Sequence, residues 1–530
     1  MNSDVLAYWK LAKDCKDYSG HDHHGLNHGV TFTSDTGAKF NGRGAYIEVA
    51  DAPALQLGRS DFTLSGWVYT ERDLDDVLGD ILGKYDPETR RGLNWLIQNF
   101  HGVASGQSNY RNLCFGIDDA HHSDWIDCGR PGDNLMVWSL CVYRGDLYAG
   151  TFETGEDEAG HVYRYMGSDN WEDCGSPHSS NAITALAVLD DVLYAAASHY
   201  RSGGSSLTES NNDTPGGRVF RYEGGDSWSD CGQLGGVEAI GGLAAFKGKL
   251  YASSMYAPAG LFRYDDKKKW LSCGNPDGRV EALAVHDGRL YGSGWDETRP
   301  GVYRYEGGTK WIDCGAPPDT TQTYSFAQHE GRMYVGTWPS GKVFRYAGEQ
   351  AWVDCGQLGA EREVMGMAVY NGKLYGGTLP LAEVYRYDGG TVWTRTGQLD
   401  TTSDVRYRRA WSMAVFQGKL FCGTLPSGHV YSYQAGQCVT HDHELEYGWN
   451  HVAAVRHGAD LRLYINGTLA ALGTGPARTA FDITNSKPLT IGFGAHDYFN
   501  GCMREIRIHN RALEETEIAG LCSGEAFQET

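Results

Sequence analysis

The stretch "WIDCG" stands at Trp125–Gly129 and again at Trp311–Gly315. Close variants lie between and beyond: "WEDCG" from Trp171, "WSDCG" from Trp228, "WLSCG" from Trp270 and "WVDCG" from Trp352. A seventh copy, "WTRTG" from Trp393, keeps the Trp and Gly and drops the Cys. Successive Trp residues are 46, 57, 42, 41, 41 and 41 positions apart. After each copy comes a loop, a short apolar run ("ALAVH", "GMAVY", "SMAVF"), a two-residue turn ("DG", "NG", "QG") and a run such as "RLYGSG" or "KLYGGT". A variable loop follows, then "VYRY" or "VFRY", a "GG" turn and the next Trp. Alternating residues and hairpin turn chemistry make four short strands per unit.

A period of about 40–50 residues with four strands predicts a β-propeller. Inner three-strand sets begin near Trp138, Ile183, Ile240, Val280, Tyr324, Met365 and Trp411, and outer strands at the seven Trp residues. The last set, ending at 429–433, has no outer strand after it, and the strand at Trp125 precedes every set. The count predicts seven blades closed by the Trp125 strand, which hides the sheet edges. Equivalent positions on neighbouring blades are about 10 Å or more apart, while a disulfide needs Cα atoms within about 7 Å. The six repeated cysteines are therefore read as buried, reduced thiols packing between blades. Thirteen cysteines in all, with no C-x-x-C, favour a reducing compartment and give a zinc ribbon no support.

The chain has 530 residues, more than one core usually supports, and a formal charge of −21. That charge excludes a general nucleic-acid binder, which needs basic surface. No apolar run approaches the roughly 18 residues of a membrane span. The start "MNSDVLAYWKLAKD" lacks a basic-then-apolar leader. A cytoplasmic protein, or a secreted or periplasmic one that has lost its leader, both fit. Oligomeric state is not legible.

"DGGTVW" (388–393), "EGGTKW" (306–311) and "EGGDSW" (223–228) resemble the Asp-box of sialidase-type propellers, with Arg386, Arg304 and Arg221 where the box has Ser or Thr. Kelch propellers share the Gly-Gly, Tyr and Trp. Both resemblances imply topology alone. The flanks differ. Asp17-x-Ser19-Gly20 with His24-Gly25, "FTLSGWVY", "WNHVAAVR", the "INGT" turn and "FNGCMREIRIHNRALEETEI" resemble the laminin-G-like, concanavalin A-like jelly roll. Neither flank is complete alone. The expectation is an all-β chain in which a seven-bladed β-propeller (121–436) is inserted into a concanavalin A-like β-sandwich made of 1–120 and 437–530. Residues 119–124 and 434–446 would be the crossing linkers. The resemblance implies Ca²⁺ bound through acidic loop residues, with no ligands assigned. His21, His23, His24 and His28, and the linker residues His121, His122, His441 and His443, are dense enough to suggest zinc or copper. The Ser-Gly-x-x-x-His-Gly frame recurs in that family as a structural turn, and no metal ligand is assigned.

No G-x-S-x-G, P-loop or H-E-x-x-H occurs, so function is sought in the ring. Turns between the first two strands of each unit are short and uniform; loops between the second and third vary up to the stretch 199–217. Variable loops on a constant scaffold are where sites are built. That face would present Trp138, Glu281, Tyr324, Met365 and Trp411 about the axis, with His199, Tyr200, Arg201, Tyr256, Trp295, Asp296, Arg299, Trp338 and His429 from loops and Arg406–Arg409 before the last set. Aromatic rings beside Arg, His and acids suit sugars, which stack on rings and are held by charged forks. The expectation is a carbohydrate-active protein, a glycoside hydrolase or polysaccharide lyase acting on an oligosaccharide or polysaccharide. A lyase would use Tyr324 or His199 as base with Arg409. A hydrolase would use Glu281 and Asp296. Trp138, Tyr200, Arg201, Tyr256, Trp295, Arg299, Trp338, Trp411 and His429 would bind substrate. The alternative is a non-catalytic glycan- or protein-binding module. The bland reading of the axial aromatics is that they merely fill the channel.

Overall fold

The computed structural model describes residues 4–33, 35–155, 157–265, 267–295, 299–474 and 481–523. Each inner strand of the ring is followed by a turn whose two residues sit in the left-handed region, such as Asn371 (φ 42°) and Gly372 (φ 88°). Paired left-handed residues make a type I′ turn, whose twist matches that of the strands it joins. Among the described residues, ring strands form five separate four-stranded sheets and one eight-stranded sheet. This corrects the expectation of seven separate blades. The eight-stranded sheet holds two successive meanders, 136–173 and 182–233. They are joined because strand Asp146–Phe152 extends far enough for Phe152 to pair with Ala182 of the next inner strand. The ring closes where strand Ile126–Asp127 pairs with Val430–Tyr433, through Ile126↔Ser432 and Asp127↔Tyr431.

The repeated Trp-x-x-Cys has a specific use. The indole N–H of each outer-strand Trp donates to the carbonyl of the preceding unit's Cys: Trp171 to Cys128, Trp228 to Cys174, Trp270 to Cys231, Trp311 to Cys273, Trp352 to Cys314 and Trp393 to Cys355, at 2.8 to 3.2 Å. Trp125 donates to Thr396 Oγ1 at 3.3 Å, so the copy without Cys takes the closing bond on its side chain. All six repeated cysteines are buried free thiols. Burial pushes the thiols of Cys174, Cys231, Cys273, Cys314 and Cys355 up, away from reactive thiolate.

Strands from both ends of the chain interleave in two further sheets. One runs in the order Thr31–Thr33, Gly37–Asn41, Asn500–His509, Phe62–Thr70, Gly448–His457, Asp460–Ile465, Thr468–Thr474. The other runs Gly25–His28, Tyr46–Val49, Leu489–Ile491, Gly79–Asp86, Arg91–Phe100, Asn109–His122, Ala435–His441. Trp9, Phe40, Phe62, Trp95 and Phe115 fill the core between them. The Asp17 carboxylate accepts backbone N–H groups from Tyr8, Ser19 and His23 and the Ser19 hydroxyl, which fixes the histidine-rich turn. Where the chain passes between sandwich and ring, Ser123 N donates to Gln434 O at 2.8 Å.

The segment between strands Arg91–Phe100 and Asn109–His122 leaves the sandwich and enters the ring axis. Val103 pairs with Gly106 at its tip. Gly102 O accepts from Phe326 N, Ser105 O from Leu243 N and Ser108 O from Val142 N, while Gln107 N donates to Leu186 O. The Gln107 amide donates to Val188 O and accepts from Ala245 N; Asn109 bridges both backbone groups of Val415 at 2.8 and 2.9 Å. This segment thus bonds to inner strands of five units and plugs the axis from the sandwich side. Paired backbone groups are what such deep burial demands.

Candidate functional site: the axial cavity

Above the plug lies a cavity of about 170 Å³, lined by Trp138, Tyr200, Arg201, Met255, Tyr256, Glu281, Trp295, Tyr324, Glu363, Arg409 and Trp411, with Gly204 and Ser205 at its lip. Its floor is the plug tip: Ala104 packs in the same cluster as Trp138, Met365 and Trp411, and Trp138 Nε1 donates to Ser105 Oγ at 3.1 Å. Its lip is the long loop after strand Val192–Ser198. There the Tyr200 and Ser205 hydroxyls bond to each other, and Arg201, paired with Glu238, lies 4.8 Å from the Tyr256 ring centre.

Inner strands supply the deeper residues in two layers, because side chains two positions apart share a face. Trp138, Glu281, Tyr324, Met365 and Trp411 form one layer. Arg279, Gln322, Glu363 and Arg409, each two residues earlier in sequence, stand in the outer one. Arg409 Nε lies 3.5 Å from Glu363 Oε1, with both side chains buried. The Tyr324 hydroxyl donates to Gln322 Oε1 at 2.5 Å. Arg279 lies 4.1 Å from the Trp295 ring centre and donates to Trp295 O at 2.9 Å.

Burial pushes the Glu281 carboxyl up to about 7; nearby Arg279 opposes this and Glu363 adds to it. Burial also raises Glu363, opposed chiefly by Arg409. The Tyr324 hydroxyl is held well above 10 by burial and by Glu363. Apart from Arg409 Nε and Glu363 Oε1, which face each other at 3.5 Å, four buried atoms of the lining residues have no hydrogen-bond partner in the protein: Glu281 Oε2, Trp295 Nε1, Arg409 Nη1 and Trp411 Nε1. Leaving such atoms unmet costs about 1–3 kcal/mol each.

Nine residues expected from sequence therefore line one cavity: Trp138, Tyr200, Arg201, Tyr256, Glu281, Trp295, Tyr324, Arg409 and Trp411. Four others stand off it. His199 turns away, and its backbone N donates to Glu238 O. Arg299 packs beside Gly278. Trp338 packs against Tyr407 at 6.2 Å, further out. His429 pairs with Asp127 at 3.0 Å. Asp296 lies outside the described residues. Met255, Gln322 and Glu363 were missed; the period-2 rule applied one step back along each axial strand would have found Gln322 and Glu363. Among the described residues no three His, Cys, Asp or Glu side chains group so as to hold a metal ion. Neither the histidine-rich turn nor the linker histidines form such a group among the described residues. No helix among the described residues is long and apolar enough to cross a membrane.

A family model described as the concanavalin A-like lectin/glucanases superfamily matches residues 390–519, a stretch that begins on the ring and runs through the C-terminal sandwich strands. The chain carries a concanavalin A-like domain and a β-propeller. No curated protein matches the sequence. Among solved structures, virginiamycin B lyase from Staphylococcus aureus aligns at 9% identity and a TM-score of 0.46, over 59% of this chain and 99% of that one. YCF48 from Cyanidioschyzon merolae aligns at 10% and 0.41, over 59% and 99%. A protein of unknown function from Bacteroides thetaiotaomicron aligns at 10% and 0.38, over 76% and 95%. Likenesses this distant say nothing about reaction or ligand.

Proposed function

We propose that this chain is a carbohydrate-active enzyme that binds and hydrolyses a saccharide in the axial cavity, with Glu281 as general acid. The observation that carries the reading is the set of four buried, unpartnered polar atoms, Glu281 Oε2, Trp295 Nε1, Arg409 Nη1 and Trp411 Nε1, in one aromatic-walled cavity. Three donors and one acceptor among the rings of Trp138, Trp295 and Trp411 match a pyranose, which offers hydroxyls at its edge and C–H groups on its face. A carboxyl raised to about 7 can deliver a proton to a glycosidic oxygen at neutral pH. Glu363, paired with Arg409, supplies the second carboxylate that a glycosidase needs, in the role expected of Asp296. A lyase is the weaker reading: Tyr324, held well above 10, makes a poor base, and His199 stands off the cavity.

On this reading the double sheet counts as two blades and the ring as seven. The chain divides into 1–120, 121–436 and 437–530, and the sandwich is the ring's floor as well as a concanavalin A-like module. The test is a polysaccharide and glycan screen that follows both binding and products. New reducing ends released by the parent and not by Glu281→Gln support the hydrolase. Unsaturated products would assign a lyase instead, and binding without products the non-catalytic alternative.

A further inference from the structure

The cavity's rim is cationic in a chain that is strongly acidic, with 67 Asp and Glu against 46 Lys and Arg. Arg409 lies 5.5 Å from the Tyr407 ring centre and Arg406 lies 4.7 Å from the same ring. Tyr407 packs on Trp338, and Arg362 lies 5.1 Å from Trp338. On the other side Arg279 covers Trp295, which lines the cavity. Arg279, Arg362 and Arg406 from three inter-strand loops, with Arg409 at the start of strand Arg409–Phe416, thus stand on aromatic rings around one opening. Several arginines elsewhere on the ring are answered by acids: Arg164 by Glu172, Arg221 by Glu223, Arg304 by Glu306 and Arg386 by Asp388. Among the described residues Arg279, Arg362 and Arg406 have no carboxylate at ion-pair distance; Arg409 has Glu363, yet its Nη1 stays unmet. Arg362 and Arg406 are exposed.

We infer that the saccharide bound here carries an anionic group, a carboxylate or a sulfate, which the rim arginines receive. The inference rests on the reading of the axial cavity as a sugar site. A guanidinium stacked on an aromatic ring keeps its planar fork free, and that fork matches the two oxygens of a carboxylate or sulfate. Arg362 and Arg406, without a carboxylate at ion-pair distance among the described residues, repel each other and Arg409, and an anionic ligand relieves that cost on binding. The overall charge of −21 opposes a nucleic-acid strand, whose long phosphate backbone meets the rest of the surface, more than it opposes one anionic sugar at this opening.

The experiment is an array carrying neutral, uronate-bearing and sulfated glycans. It is followed by calorimetric titration of the strongest binder against its methyl-esterified or desulfated counterpart, at low and high salt. The expected result is binding of an acidic glycan that weakens with salt and is lost on esterification or desulfation; which treatment abolishes it distinguishes carboxylate from sulfate. Arg362→Gln with Arg406→Gln should weaken binding about tenfold, with unchanged melting, because charge-assisted contacts are lost from exposed positions. Equal affinity for charged and neutral forms would overturn the inference and leave the sugar site standing. Binding of a single-stranded oligonucleotide and of no glycan would overturn both.

Discussion

At one end of the ring axis, Gln107 and Asn109 give their amides to Val188, Ala245 and Val415, and the plug's carbonyls meet backbone N–H groups. At the other end, Glu281, Arg409 and Trp411 hold buried polar atoms that no protein group meets. Both ends are lined by the same inner strands, so strand chemistry does not explain the difference. What differs is what arrives from outside: a built-in segment on the sandwich side and, on the proposed reading, a ligand on the other. The plugged end is not free of unmet atoms, since His101 Nδ1 has no partner either, but the open end gathers a carboxyl, a guanidinium and two indoles in one cavity.

The largest effect that can break this contrast falls on Glu281. Glu281→Gln keeps shape and removes the proton, so turnover should fall by about 10²–10⁴ while ligand binding persists. Activity should also decline as pH rises through about 7, where the acid form is lost. Steady-state rates with parallel titrations check both; an unaltered rate removes Glu281 from the chemistry.

Next comes the plugged end. Asn109→Ala leaves Val415's N–H and C=O unmet inside the axis and should lower stability by about 2–6 kcal/mol, twice the cost of one unmet buried group. Chemical unfolding measures it. At the open end Arg409→Ala and Tyr324→Phe should each weaken binding or activity by about 1–3 kcal/mol. Rim and cavity thus read out in affinity, the plug in stability. An Arg409→Ala variant that bound like the parent would place the ligand elsewhere.

The smallest effect concerns buried acids where sandwich meets ring. Burial raises Asp80 to about 7, opposed by backbone N–H groups of Asp497 and His496. Burial raises Asp76 to about 8 as well, with Asp287 adding to it and Arg43 opposing. Folded values above the unfolded value of about 4 mean that the native state binds more protons. Their stabilising contribution is full below about pH 4 and is lost as pH rises through about 7–8. Asp80→Asn should flatten that decline by about 1 kcal/mol, read from unfolding at several pH values.

Much of the ring was legible because Trp, Cys and Gly-Gly recur at strand-fixing spacings, and closure at Trp125 followed from an orphan strand. The split flanks were legible from Asp17-Ser19-Gly20 and the Asn466-Gly467 turn. The plug was not. "HGVASGQSN" (101–109) reads as a polar loop, since the partners of Gln107 and Asn109 lie some 80 to 300 positions on and appear only once the ring closes. The merging of two meanders rests on one residue pair, Phe152↔Ala182, below what any pattern carries. Glu363 escaped because one layer of axial residues was read where the strands supply two.

The most direct measurement is a crystal structure of Glu281→Gln with an acidic oligosaccharide chosen from the array. The account predicts a sugar ring among Trp138, Trp295 and Trp411, its oxygens on Arg409 Nη1 and Trp411 Nε1, entering from the face opposite the sandwich. A sugar seated on the sandwich sheets or at the plugged end, with the axial cavity empty, would contradict it.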